Sequence, residues 1–434
     1  MRPRRLAAAL LALALAACDG GSPAAPGGDD LDLSRYVAIG NSLTAGYMNG
    51  ALGIEGQTCS YPRLVAGQAG VGAAFSQPLV SAPGISEPGS QEGRIELLAL
   101  TPITIERARP AGTPLNPDPP APYSNLGVPG ALGAEALEAQ SRATSRTGNP
   151  FFDLVLRGRG TWAAQVAERD ASFATIWLGN NDVLGYVVAG GETAEFPTPG
   201  AEFAATYESL VERLLETTDR VVLLNVPPVT VAPYLSFVPT VVVDPATLEP
   251  VPGPGGEPVP LLGPDGPLAD TDLVSFDAIE RILDGDGIPV AMGGSGEPLP
   301  ADVILDAGEQ AVARAAIDAY NAAIAATAAR HGLAVVDVHG IVTGIAAGGL
   351  DVGGERLTTA FLTGGLFSLD GIHPTCKGQG VVANAVLEAI EARYGVSYPR
   401  VSIAGLPGVT LTAAGGLAPA GAGRGLPRFR RAGR

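Results

Sequence analysis

Four short apolar runs, at residues 35–40, 173–178, 220–225 and 332–338, most constrain what this chain folds into. The first places Tyr36, Val37, Ala38 and Ile39 in succession and closes on Gly40. Runs of this length without a polar alternate are expected for strands buried on both faces, as in a parallel sheet. A weaker candidate covers residues 123–126, and helical stretches are expected at 200–216, 307–330 and 378–394. Strand and helix in alternation predict an α/β fold, with a parallel sheet covered by helices on both faces. Two stretches interrupt the alternation, 57–122 and 227–300, the second rich in Pro and Gly. Both read as insertions, either binding loops or lids, or plain surface decoration. The 434 residues suit one such decorated domain, placed at 31–399. Residues 400–434 turn to Gly, Ala, Leu and Pro with terminal arginines, and a disordered tail is expected there.

The start of the chain has a different logic. Arg2, Arg4 and Arg5 precede an apolar run at 6–17 that ends at Cys18. The order is that of a secretory signal, and the run is too short to span a bilayer. Leu15-Ala16-Ala17-Cys18 resembles the lipobox of bacterial lipoproteins. That resemblance implies a signal peptide at 1–17, a lipid on Cys18, and a tether of Gly, Pro, Ser and Asp at 18–30. The expected location is extracytoplasmic and membrane-anchored, at the periplasmic face or the cell surface. The net charge of −17 offers no basic field, so nucleic acid is not expected as a partner.

Four small clusters carry chemistry. Gly40-Asn41-Ser42-Leu43 follows the first apolar run, where open α/β sheets place their sites. Alone, this serine is better explained as a helix N-cap than as a nucleophile. Asp370-Gly371-Ile372-His373 lies before the last helix, and residues three apart on one turn face the same way. The carboxylate then fixes the imidazole tautomer while the other ring nitrogen takes a proton from a nucleophile. Asn125-Leu126-Gly127-Val128-Pro129-Gly130 and Gly179-Asn180-Asn181-Asp182 are ordinary turn sequences individually. A glycine N–H and an asparagine amide are nevertheless the donors acyl transfer needs for developing negative charge. His331 and His339 flank an expected strand and read as structural.

In this order the four clusters resemble the SGNH, or GDSL-type, hydrolases from Tyr36 to Tyr394. The resemblance implies a three-layer α/β/α sandwich around a parallel sheet of about five strands, and hydrolysis of carboxylic esters through an acyl-enzyme. It implies a triad of Ser42, Asp370 and His373. It also implies an oxyanion hole of the Ser42 N–H, Gly130 (rather than Gly127) and Asn181, with no metal or organic cofactor. The substrate implied is a small-molecule or lipid ester. Asn41 departs from the family's commonest motif, which has aspartate there. Two rivals stand beside this reading: an acyltransferase on the same site, and a lipoprotein that binds ligand without turnover.

With Cys18 lipidated, Cys59 and Cys376 are the remaining cysteines. Cys376 lies three residues past His373 and Cys59 follows the Ser42 loop, so closing the triad brings their neighbourhoods together. A disulfide is expected, with two free thiols as the alternative.

Overall fold

The five strands of the central sheet are β1 (Tyr36–Gly40), β2 (Asn125–Gly127), β3 (Phe173–Trp177), β4 (Val221–Leu224) and β5 (Ala334–Val336), in a computed structural model. All neighbours are parallel and the order is β5-β4-β3-β1-β2. The structure describes residues 31–100, 103–411, 416–417 and 426–429; the expected leader, Cys18 and the tether lie outside the described residues. Each strand falls within two residues of its expected run. The edge strand β2 begins two residues later than its weaker signal suggested.

Side chains alternate across a strand, and that alternation builds three layers. Val37, Ile39, Ala174, Ile176 and Leu223 point into one core, where they meet α4 (Gly200–Leu215) through Phe203 and Tyr207 and α5 (Ala307–His331) through Ile317 and Tyr320. Tyr36, Ala38, Phe173 and Val222 point the other way, onto Tyr61 and Val65 of α2 (Tyr61–Gln68) and Val386 and Ile390 of α7 (Cys376–Tyr394). The fold is thus the α/β/α sandwich with a five-stranded parallel sheet. α5 has clear ends. Asp306 and Glu309 form a reciprocal capping box at its start, and Gly332 in a left-handed conformation stops it.

The 57–122 stretch is more regular than expected. It holds α2 and an antiparallel pair, Ile95–Leu100 with Ile103–Arg107. The tail also departs from expectation. In its described residues, Thr410–Leu411 runs parallel beside Leu97, and Arg428–Phe429 runs parallel beside Thr104 and Ile105. An isolated hairpin has two open edges that attract pairing. Here the tail covers both, with strands too short to show a period of two in the sequence.

Candidate functional site

The order β2-β1-β3 places a reversal of chain direction across the sheet beside β1, and ligands bind at the carboxyl ends of strands at such points. The register aligns those ends: Gly40 of β1 sits opposite Gly127 of β2 and Trp177 of β3. The three loops that follow carry Ser42, Gly130 and Asn181.

Ser42 opens a single helical turn, α1 (Ser42–Ala45), and is 6% exposed. Asn41 caps that turn, its Oδ1 accepting from the Leu43 N–H at 3.0 Å. The Asn41 amide also donates to Asn180 Oδ1 at 3.0 Å, inside the sheet end and away from water. An aspartate here accepts but cannot donate, so asparagine suits both partners as they are oriented. β2 is held against this turn by Asn125, whose Nδ2 donates to Thr44 O at 2.8 Å. Gly127 permits the approach, because a Cβ there would lie 2.4 Å from the Ala45 nitrogen. Gly127 is therefore a packing glycine, and Gly130 is the one that lines the cleft with Ser42.

His373 Nε2 lies 2.9 Å from Ser42 Oγ, and its Nδ1 lies 3.1 Å from Asp370 Oδ2. The two side chains are 13% and 11% exposed. Burial pushes the Asp370 carboxyl up, but the His373 charge and hydrogen bonds from His373 and Ile372 outweigh it and bring the group down to about 2. Asp370 is thus a fixed anion at neutral pH. Its Oδ1 accepts from the N–H groups of Ile372 and His373 at 2.9 and 2.8 Å.

A second grip on Asp370 was not anticipated. Tyr47–Met48 and Ala51–Leu52 pair as a miniature hairpin whose two-residue turn is Asn49-Gly50, at φ 55° and 70°. Asn-Gly is the sequence that tolerates two positive φ values in succession, and it was the available signal. This turn faces the Asp370 loop. Gly50 N–H donates to Asp370 Oδ2 at 2.6 Å, Asn49 N–H donates to Ser368 Oγ at 2.9 Å, and Asn49 Oδ1 accepts from Leu369 N–H at 2.9 Å. The Tyr47 ring packs on the His373 imidazole with centroids 4.8 Å apart. Burial, with Asp370 adding repulsion, holds the Tyr47 phenol protonated. Cys59 and Cys376 are joined by a disulfide with Cα atoms 5.3 Å apart, tying the same two segments together once more.

Asn181 stands in the first turn of α3 (Asn180–Val188). One N–H of its amide donates to Ala131 O at 2.8 Å, which leaves the second for another acceptor. Next to it, Asp182 is fully buried and accepts from Gly133 N–H at 2.6 Å, Ala134 N–H at 3.1 Å and Thr198 Oγ at 3.0 Å. Burial raises its carboxyl pKa against the pull of those bonds. Asp182 fastens the segment after Gly130 to the helix that carries Asn181.

Two clefts meet at Ser42 and His373. One is mixed in character, lined by the charged Glu87 and Arg142 together with Tyr47, Gly130, Asn149, Phe151 and other residues. The other is apolar, bounded by Pro227–Val229 and by α6 (Val338–Gly348). Asn181 and Leu184 border both. Neither remaining histidine joins the site. His339 starts α6 with its N–H on Asn225 Oδ1. His331 ends α5, before the start of β5, 4.0 Å from Glu208. Among the described residues, Glu208, Glu212 and His331 are the one group spaced to ligate a metal, but Glu208 is already paired with Arg330.

Comparison with known proteins gives one match to a family and several to solved structures. The model of the GDSL-like lipase/acylhydrolase family matches residues 36–386. A search of curated proteins found no match. Among solved structures, a lipase/acylhydrolase from Enterococcus faecalis is similar at 13% identity and TM-score 0.34, over 84% of this chain and 97% of that one. An acetylxylan esterase from Geobacillus stearothermophilus is similar at 14% identity and TM-score 0.35, over 83% and 94%. At these scores the fold rests on the strand order above and not on the superpositions.

Proposed function

The chain belongs to the GDSL-like lipase/acylhydrolase family and is a carboxylic ester hydrolase, and from that premise we propose that it cleaves its substrate through an acyl-enzyme on Ser42. The observation that carries this reading is the unbroken relay from Asp370 through His373 to Ser42, at 3.1 and 2.9 Å. Ser42 Oγ attacks the ester carbonyl carbon while His373 Nε2 takes its proton, and Asp370 holds the Nδ1–H and balances the imidazolium. The carbonyl oxygen, now negative, sits among the Ser42 N–H, the Gly130 N–H and the free N–H of Asn181. Collapse breaks the carbon–oxygen bond to the alcohol, which leaves with the proton from His373. Water then attacks the Ser42 ester with His373 again as base, releasing the acid.

A fluorophosphonate probe tests the nucleophile directly. Mass spectrometry of a digest should find the adduct on the peptide containing Ser42 and no adduct after Ser42→Ala. Labelling at another serine with activity lost would overturn the assignment.

The proposal extends to location. A lipid on Cys18 holds the mature chain to a membrane on the extracytoplasmic side. Support comes from the lipobox-like sequence at Leu15-Ala16-Ala17-Cys18 and from the Cys59–Cys376 disulfide, a bond that persists in oxidising compartments. Cys18→Ser should move the protein from the membrane to the soluble fraction. Unchanged fractionation, with no lipid mass on the N-terminal peptide, refutes the anchor.

A further inference from the structure

The apolar cleft beside Ser42 has a composition unlike the rest of the site. Its lining contains no Asp, Glu, Lys or Arg, and Ser42, Asn180, Asn181 and His373 gather at its catalytic end. Away from that end the walls are Pro227, Pro228 and Val229 on one side, and Ile341, Val342 and Ile345 of α6 on the other. Ile341 and Ile345 are one turn apart and therefore face the same way. Ile345 is 3% exposed and packs in a small core of its own with Leu357, Leu366 and Val381. The α6 wall is thus backed by packed side chains, which fixes the length of the space in front of it. Its cavity volume is about 90 Å³, a narrow space beside Ser42.

We propose that this cleft holds the acyl chain of the ester and that Ile341 and Ile345 set its length. The proposal rests on Ser42 as the nucleophile. An ester has two arms, and the order of steps decides which one belongs here. In deacylation the acyl group stays bound to Ser42 while the alcohol departs and water enters. The arm that remains gains from an apolar wall throughout. The arm that is exchanged for water needs a path that water can enter, and the second cleft, which carries Glu87, Arg142 and Asn149, offers side chains that hydrate readily. Removing apolar surface from water favours binding by an amount worth roughly three- to fourfold per methylene.

Two ester series on the full-length protein test this, each measured below the concentration at which the esters aggregate. In the first, p-nitrophenyl esters carry acyl groups of increasing length from acetyl. In the second, acetyl esters carry alcohols of increasing length. The expected result is a kcat/KM that climbs by roughly threefold per methylene along the acyl series, then falls once the cleft is full. Along the alcohol series it stays within about twofold per step. Ile341→Trp should move the acyl optimum to shorter chains and Ile345→Ala to longer ones. A preference that follows alcohol length, or a flat acyl series, overturns the proposal. So does an optimum that neither variant moves. If a variant fails to fold, the two series on the unmodified protein still decide. Failure of the nucleophile assignment would show separately, as turnover of p-nitrophenyl acetate surviving Ser42→Ala.

Discussion

The two sides of the cleft are built from different materials. The apolar side comes from α6 and the first residues of the 227–300 insertion, which follow directly on β5 and β4, and from the start of α7, which packs on the sheet. The side that carries charge comes from Ser86 and Glu87 of the 57–122 insertion and from the loop at 142–151. Its insertion leans on a separate small sheet completed by the tail. The difference teaches where each kind of constraint resides. A wall attached to the sheet inherits the rigidity of a close-packed core. A wall on loops is free to differ in chemistry, and here it needs the disulfide and the Asn49-Gly50 turn to be fixed against its opposite number.

If chemistry belongs to neither side but to the seam, removing the seam residues should abolish turnover whatever the substrate. Ser42→Ala or His373→Ala should each lower kcat by about 10⁴- to 10⁶-fold, with the double variant little worse than either. The drop should be equal for short and long acyl chains. Steady-state assays on both substrates check it, with His339→Ala as the control that keeps near-normal turnover. Substantial activity in His373→Ala would break the comparison at its root.

Asn181 borders both clefts and should act on the developing charge alone. Asn181→Ala is expected to cost roughly 10²- to 10³-fold in kcat with KM nearly unchanged. A rise in KM at constant kcat would reassign Asn181 to ground-state binding.

The disulfide sharpens the contrast further, because Cys59 enters the insertion that bears Glu87 of the charged wall and Cys376 begins the helix that bears part of the apolar one. Cys59→Ser should lower unfolding free energy by about 2 to 5 kcal/mol. Denaturant titration measures that loss, and thiol titration of the denatured, unreduced protein should find neither Cys59 nor Cys376 free.

The smallest effect lies in acid. Asp370 titrates at about 2 in the folded chain against an ordinary value of 3.8. On acidification the unfolded state therefore takes up its proton first. The stability this carboxylate contributes is present above pH about 4 and is lost as pH falls toward 2, on the order of 2 kcal/mol in all. Asp370→Asn should flatten that part of the stability profile, and an unchanged slope between pH 4 and 2 would show that the carboxylate is not held as described.

The seam was legible in the sequence to different depths. Ser42, Asp370, His373 and Asn181 stand out because each lies in a short local pattern at the end of an apolar run or before a helix. The sheet was legible for a similar reason, since buried parallel strands are continuous apolar runs. The Asn49-Gly50 turn carried a recognisable local signal, but its partners Ser368, Leu369 and Asp370 are about 320 residues away in sequence. No local pattern announces a contact of that kind. The tail strands stayed hidden because two residues cannot display a period, and their pairing is decided by the hairpin edges they cover.

The sequence by itself determined the succession of strands and helices, the fold class and the short patterns in which Ser42, Asn181, Asp370 and His373 lie, because burial and local turn geometry are written in neighbouring residues. Only the tertiary structure decided the rest: that Gly127 packs against the Ser42 turn, that Asp182 ties the segment after Gly130 to the helix of Asn181, and that one side of Ser42 is walled without charge while the other carries Glu87 and Arg142. Those properties arise where segments far apart in the chain meet, and the free energy of such meetings depends on what each finds opposite it.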